Sequence, residues 1–296
     1  MSFSGLKRVL PAGAAALLSR TKKKIKKARI NSLPALSESD FTDILVNRLG
    51  VSSGDTVFIH SSVDHLHLAF SYGRILSLVR GVIGDGGTML LPTYPGLPSY
   101  EFLARGEVFD IRRMPSYMGL LTEYARRQRE AVRSLHPTKS VCAIGGRARE
   151  LTATHRLSPY PFDACSPYHK LIEHGGKIIG VGVSTEHLSF VHCAEDALGE
   201  KFPVRTYHER LFAARCVDYA GDEVVVETYA HDMRKMGHDI PRYVRAHVSA
   251  EACRDLRIGG MKFYRADAAR LFDEMVRLAR EGITIYPRSA YEKPDR

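Results

Sequence analysis

The chain has 296 residues, 44% of them hydrophobic and 26% charged, with a formal net charge of +10. That length and mix suit a soluble globular protein able to fold alone around a substantial core. Five widely spaced cysteines, Cys142, Cys165, Cys193, Cys216 and Cys253, with no C-x-x-C pair, exclude a disulfide framework or a zinc knuckle and fit a reducing cytoplasm.

The positive charge sits at one end. Residues 1–30 hold nine basic residues and no acid, which leaves 34 Lys and Arg against 33 Asp and Glu in the remainder. Basicity is therefore a property of the tail and does not mark a nucleic-acid binder. The apolar stretch of this tail is too short to span a bilayer, and its charges follow the stretch more densely than they precede it, unlike a signal peptide. A flexible leader is expected over 1–30. Its lysines and arginines between 7 and 29 are also suited to peripheral contact with an anionic membrane, at the inner face of which a cytoplasmic protein would sit.

From residue 31 the pattern is that of one α/β domain reaching 296. "LSESDFTDILVNRLGV" (36–51) has a serine or aspartate cap, helical apolar spacing and a terminating Gly50. "DTVFIHSS" (55–62) reads as a buried strand, 71–84 as a helix, and "GTMLLPTY" (87–94) as a second strand ended by Pro92. A helix over 115–130, a strand over 140–146, a short helix over 166–176 and a strand over 177–184 continue the rhythm. Strands that are apolar on both faces and separated by helices belong in a mainly parallel sheet covered on both sides, a three-layer α/β/α fold. Residues 215–229 differ: two alternating runs flank Gly221-Asp222 and predict an antiparallel hairpin insertion. A helix over 266–282 and a strand over 283–287 close the chain.

In open α/β sheets ligands bind at the carboxyl ends of strands, where three polar clusters fall. They are His60-Ser61-Ser62, the segment "SLHPTKS" (134–140), and the run from Ser184 to Glu195. In "LSFVHCAED" (188–196), Ser189, His192 and Glu195 lie three residues apart inside an apolar stretch. On a helix that spacing puts them one turn from each other, so a carboxylate can hold one ring nitrogen of His192 and leave the other as a base. A satisfied core histidine is the competing reading of the same pair. Cys193 adjoins His192, but adjacent helical residues point about 100° apart, which speaks against a thiol nucleophile. No metal site is expected, since no H-E-x-x-H spacing occurs.

The ordered segments "FIHSS" (58–62), "GTMLLPTY", "FDIRRMPSYMG" (109–119), "RSLHPTKSVCAIG" (133–145), "SPYHKLIEHGGKIIGVGV" (166–183) and "SFVHCAE" (189–195) resemble the aminoglycoside 3-N-acetyltransferases over roughly residues 40–200. The resemblance implies an acetyl-CoA-dependent N-acyltransferase in which Ser189, where threonine is usual, His192 and Glu195 form the catalytic group. It further implies that His60, Ser61, Ser62 and Ser134, His136, Thr138, Ser140 line the CoA channel, with His136 a second candidate base. Lys139 stands where a second histidine is common in that family. The body is close to neutral and the region beyond 200 is rich in arginine, which argues for a nucleotide-linked amino sugar of surface-polysaccharide synthesis as acceptor. Aminoglycoside acetylation, as in antibiotic resistance, is the alternative, and a CoA-binding or thioester-hydrolysing relative without an amine acceptor is the reading from a different class.

Overall fold

A computed structural model of the protein describes residues 21, 24–234 and 238–287. Most of the basic tail therefore lies outside the described residues; its described end, 24–31, is helical. No helix among the described residues is long and apolar enough to cross a membrane.

Seven strands form the central sheet: β1 (Thr56–Ser61), β2 (Thr88–Pro92), β4 (Val132–Arg133), β5 (Val141–Gly145), β6 (Lys177–Val181), β9 (Cys253–Ile258) and β10 (Met261–Asp267), in the order β4-β5-β2-β1-β6-β10-β9. The central trio β2-β1-β6 is parallel, whereas β5 and β10 run against their neighbours, so five of the seven strands point one way. Successive residues of β1 alternate between two cores. Val57 and Ile59 pack with α1 (Glu38–Asp43), α2 (Arg74–Ile83) and α4 (Leu120–Arg126), while Phe58 packs with α5 (Ala148–Thr152), α6 (Pro167–Glu173), α7 (Cys193–Leu198), α8 (Ile240–His247) and α9 (Ala268–Arg280). Burial on both faces is what the unbroken apolar runs require, and it makes the three layers.

Local chemistry sets the ends. Ser37 caps α1 by accepting from Asp40 N–H, and the Asp40 carboxylate accepts from Ser37 N–H in return. The expected hairpin forms as β7 (Phe212–Val217) and β8 (Glu223–Thr228), its turn passing through Gly221 at φ +95°. With β3 (Phe109–Asp110) it makes a separate three-stranded sheet over its own small core, to which α3 (Ser99–Ala104) contributes Phe102 and Leu103. The strand expected over 283–287 does not form; this segment turns under the sheet with Ile285 and Tyr286 buried. The sheet instead gains β9 and β10, whose "CRDLRI" and "MKFYRAD" carry too many charges to read as core strands because they lie toward its edge.

The two sheets are joined by a buried arginine. Arg133 donates to Thr93 Oγ1 at 3.1 Å, Ser140 Oγ at 2.9 Å, Met114 O at 2.6 Å and the Thr93 carbonyl, with its guanidinium 4.7 Å from the centre of the Phe109 ring. Burial draws its pKa down to about 10, and among the described residues no carboxylate is hydrogen-bonded to it. Arg133→Met would strand several buried acceptors, so we expect a loss of about 3 kcal/mol or more, read as a lowered midpoint in urea at unchanged slope.

Candidate active site

Of the three residues expected to act together, Ser189, His192 and Glu195, two meet. Residues 189–192 form a tight 3-10 turn that runs into α7, which brings His192 Nδ1 to 2.8 Å from Glu195 Oε1. Both are buried, His192 with 8% of its surface exposed and Glu195 with 3%. Ser189 does not join this pair. It turns away to His60, whose Nε2 is 2.9 Å from Ser189 Oγ.

Glu195 holds more than one partner. The same Oε1 accepts from the Tyr286 hydroxyl at 2.7 Å, and Oε2 faces His231 Nε2 at 3.8 Å, where neither atom has a hydrogen-bond partner among the described residues. Burial by itself would raise the carboxyl, but the charge and hydrogen bond of His192, with His231 behind, outweigh it and hold Glu195 below the usual carboxylate range. His231 is pushed down to about 3 by burial, and its ring lies 4.7 Å from that of His192. Tyr286 and His231 were not foreseen. Tyr286 was read as part of a strand and His231 sits in a polar loop, so neither carried a periodic signal. His192, Glu195 and His231 together offer donor atoms within 4.8 Å of one another, a grouping suited to a divalent cation that spacing along the chain does not reveal.

The donor-side expectations divide. His60, Ser61 and Ser62, at the carboxyl end of β1, do line a cleft of about 770 Å³, with Tyr94, Ser116, Gly119, His187 and Ser189 around it. Ser61 Oγ is buried there without a hydrogen-bond partner among the described residues. The segment 134–140 lies behind this cleft and does not line it. Ser134 Oγ bonds His155 Nδ1 at 2.8 Å and accepts from Val141 N–H, while Ser140 Oγ donates to the Ser134 carbonyl. Thr138 Oγ1 is buried and has no hydrogen-bond partner among the described residues. His136 Nδ1 accepts from the Thr138 and Lys139 amides, at 3.3 and 3.0 Å. Its basic lone pair is thus already engaged, which removes His136 as a second base and makes the segment a buried scaffold. Lys139 points inward, its Nζ 4.9 Å from the centre of the Tyr94 ring, and burial lowers its pKa to about 8. Cys193 is fully buried and its thiol is pushed well up by burial, as befits a packing residue.

On the far side of Glu195 a second cleft, of about 590 Å³, is lined by Tyr160, Tyr207, Tyr229, Glu200 and the Arg205–Glu209 pair. The turn that carries the dyad puts Ser189 on the wall of the first cleft and Glu195 on the wall of the second, and an imidazole held by a carboxylate is an arrangement able to take a proton from a nucleophile.

The chain matches the aminoglycoside 3-N-acetyltransferase family over residues 58–280, and it belongs to that family. It is 33% identical over 172 residues to aminoglycoside N(3)-acetyltransferase VII of Streptomyces paromomycinus, a match covering 52% of this chain and 59% of that protein. To aminoglycoside N(3)-acetyltransferase IX of Micromonospora chalcea it is 26% identical over 247 residues, covering 76% and 87%. The first of these matches spans under two thirds of its relative. Among solved structures, AAC-IIIb in its binary complex with CoASH superposes with a TM-score of 0.69 at 22% identity, over 85% of this chain and 98% of that one. AAC-VIa bound to sisomicin gives 0.68 at 22% identity, over 84% and 99%. These likenesses establish the fold.

Proposed function

We propose that the protein transfers an acetyl group from acetyl-CoA to an amino group of an aminoglycoside. The observation that carries this reading is the His192–Glu195 pair, 2.8 Å apart in a member of this family, with Ser189 of the same turn on one cleft and Glu195 on another. Acetyl-CoA is a substrate that supplies an activated thioester carbonyl. The cleft at the end of β1 suits it, being large enough for an extended pantetheine arm and carrying an unpartnered buried hydroxyl, Ser61 Oγ, on its wall. His60, Ser61 and Ser62 would then hold the donor, and Ser189 stands nearest the dyad.

The dyad performs the step that an amine needs. A sugar ammonium cannot attack until it loses a proton, and His192 Nε2, with Nδ1 anchored on Glu195, is the group placed to take it. Glu195 stabilises the resulting imidazolium through its charge, and Tyr286 fixes the carboxylate by donating to the oxygen that His192 uses.

The acceptor reading departs from the nucleotide-linked sugar expected from the arginine-rich region beyond 200. Arg205 is ion-paired with Glu209 at 2.6 Å and Arg234 with Asp232 at 2.7 Å, so two of those arginines already have carboxylate partners. The second cleft combines tyrosine faces with carboxylates, which suits ammonium groups through charge and cation–π attraction. The names of the relatives also point to aminoglycosides. Thiol release from acetyl-CoA, followed with an aminoglycoside panel and with amino-sugar nucleotides, tests the reading. Release that depends on the aminoglycoside is expected. Release without any amine would mark a hydrolase, and release only with nucleotide sugars would restore the earlier expectation.

A further inference from the structure

His60, Gly180 and Tyr264 stand in register across β1, β6 and β10. A Cβ on Gly180 would come within 2.0 Å of the Tyr264 ring. Because glycine has none, the ring lies across β6 and its hydroxyl meets His60 Nδ1 at 2.6 Å. The opposite nitrogen of the same imidazole meets Ser189 Oγ at 2.9 Å.

The direction of these two bonds follows from burial. Tyr264 has none of its surface exposed, burial raises its phenol so that it keeps its proton, and His60 Nδ1 is its one hydrogen-bond partner among the described residues. Its hydrogen has no other acceptor, and a buried hydroxyl left undonated costs about 1–3 kcal/mol. Tyr264 therefore donates and Nδ1 accepts. Burial also pushes His60 down to about 3, so the ring is neutral and carries a single hydrogen, which must be on Nε2. That N–H donates to Ser189 Oγ. The serine oxygen is thus an acceptor toward His60, and its own hydrogen is turned to the other side, where Tyr94 and the donor cleft lie.

We propose that Tyr264, acting through His60, is a positioning residue that makes Ser189 a hydrogen-bond donor to the thioester carbonyl and withholds from it any base that would make it a nucleophile. The proposal rests on the acetyl-transfer reading of the site. As the amine nitrogen bonds to the carbonyl carbon, the C=O electron pair moves onto oxygen, and Ser189 O–H donates to that oxygen. The pair returns as the C–S bond breaks and the sulfur leaves as thiolate. His192, charged by the proton it took from the ammonium, gives it to the thiolate and takes the proton that the nitrogen loses on becoming an amide, while Ser189 keeps its hydrogen and never carries the acetyl group.

Two measurements test this on the full chain. In protein labelled with 15N-histidine, long-range 1H–15N correlations report which ring nitrogen bears the hydrogen, His60 being assigned by the signals lost in His60→Gln. A protonated Nε2 and bare Nδ1 are expected, and the opposite tautomer overturns the proposal whatever the enzyme acetylates. In kinetics, Ser189→Ala is expected to lower kcat about 100-fold, and Tyr264→Phe roughly tenfold or more, with KM for both substrates within about twofold. Gly180→Ala, which moves the same ring off His60 without touching its hydroxyl, is expected to act like Tyr264→Phe and to mix the His60 tautomers. Adding Tyr264→Phe to Ser189→Ala should cost nothing further; fully additive losses, or an acetylated Ser189 in acid-quenched protein, would overturn it. Should no amine be acetylated at all, the functional reading fails while the tautomer result still decides the inference.

Discussion

Replacing His192 with alanine is expected to remove acetyl transfer almost entirely, with kcat lowered by about 10²–10⁴ and the dissociation constant for CoA changed less than about twofold. The size of the effect follows from how three other buried histidines are held. His60 holds Tyr264 and Ser189 on its two nitrogens, and His136 has its Nδ1 filled by two backbone amides. His231, the nearest ring, is held neutral down to about pH 3 by burial and is too weak a base to deprotonate an ammonium. None of them can take the proton that His192 Nε2 accepts. CoA binding should survive because His192 is not among the residues around the cleft at the end of β1. Stopped-flow thiol release paired with calorimetric CoA titration separates the two quantities, and turnover like that of the wild type would remove His192 from the chemistry.

Glu195→Gln is expected to be nearly as damaging, with kcat reduced roughly 10²–10⁴ at little change in KM. The amide retains an oxygen that can accept from His192 and Tyr286, so the geometry is largely kept and the lost quantity is charge. Without that charge the imidazolium formed on proton transfer is left uncompensated in a buried site. The same carboxylate also has a signature in stability. Its folded value is depressed below the ordinary one by His192 and His231, in spite of burial. Its contribution is therefore complete above the unfolded value, about 4.3, and is lost as pH falls from there toward the lower folded value. Urea unfolding of Glu195→Gln should accordingly lose this part of the acid dependence below about pH 4. An unchanged acid limb would show that the carboxylate is not held as described.

Much of the central sheet was written in the chain. β1, β2, β5 and β6 are unbroken apolar runs because both of their faces are buried, and the hairpin turn at Gly221 announces itself by residue type. The edge strand β9 and its neighbour β10 were not legible, since residues exposed on one side carry charges that mask the alternation. The 283–287 segment shows the converse: its β-favouring residues are used to bury Ile285 and aim Tyr286 at Glu195.

The site divides along the same line. Three-residue spacing made the His192–Glu195 pair legible, because side chains one helical turn apart lie within reach of each other. Tertiary structure alone decided that Ser189 would leave that pair for His60, that the segment 134–140 would be scaffold behind the cleft, and that Tyr264, Tyr286 and His231 would complete the site. The physical reason is range. A turn of helix is settled by neighbours three or four residues away, whereas the bond from Tyr264 to His60 exists only because two distant strands pair on either side of a glycine with no side chain to keep them apart.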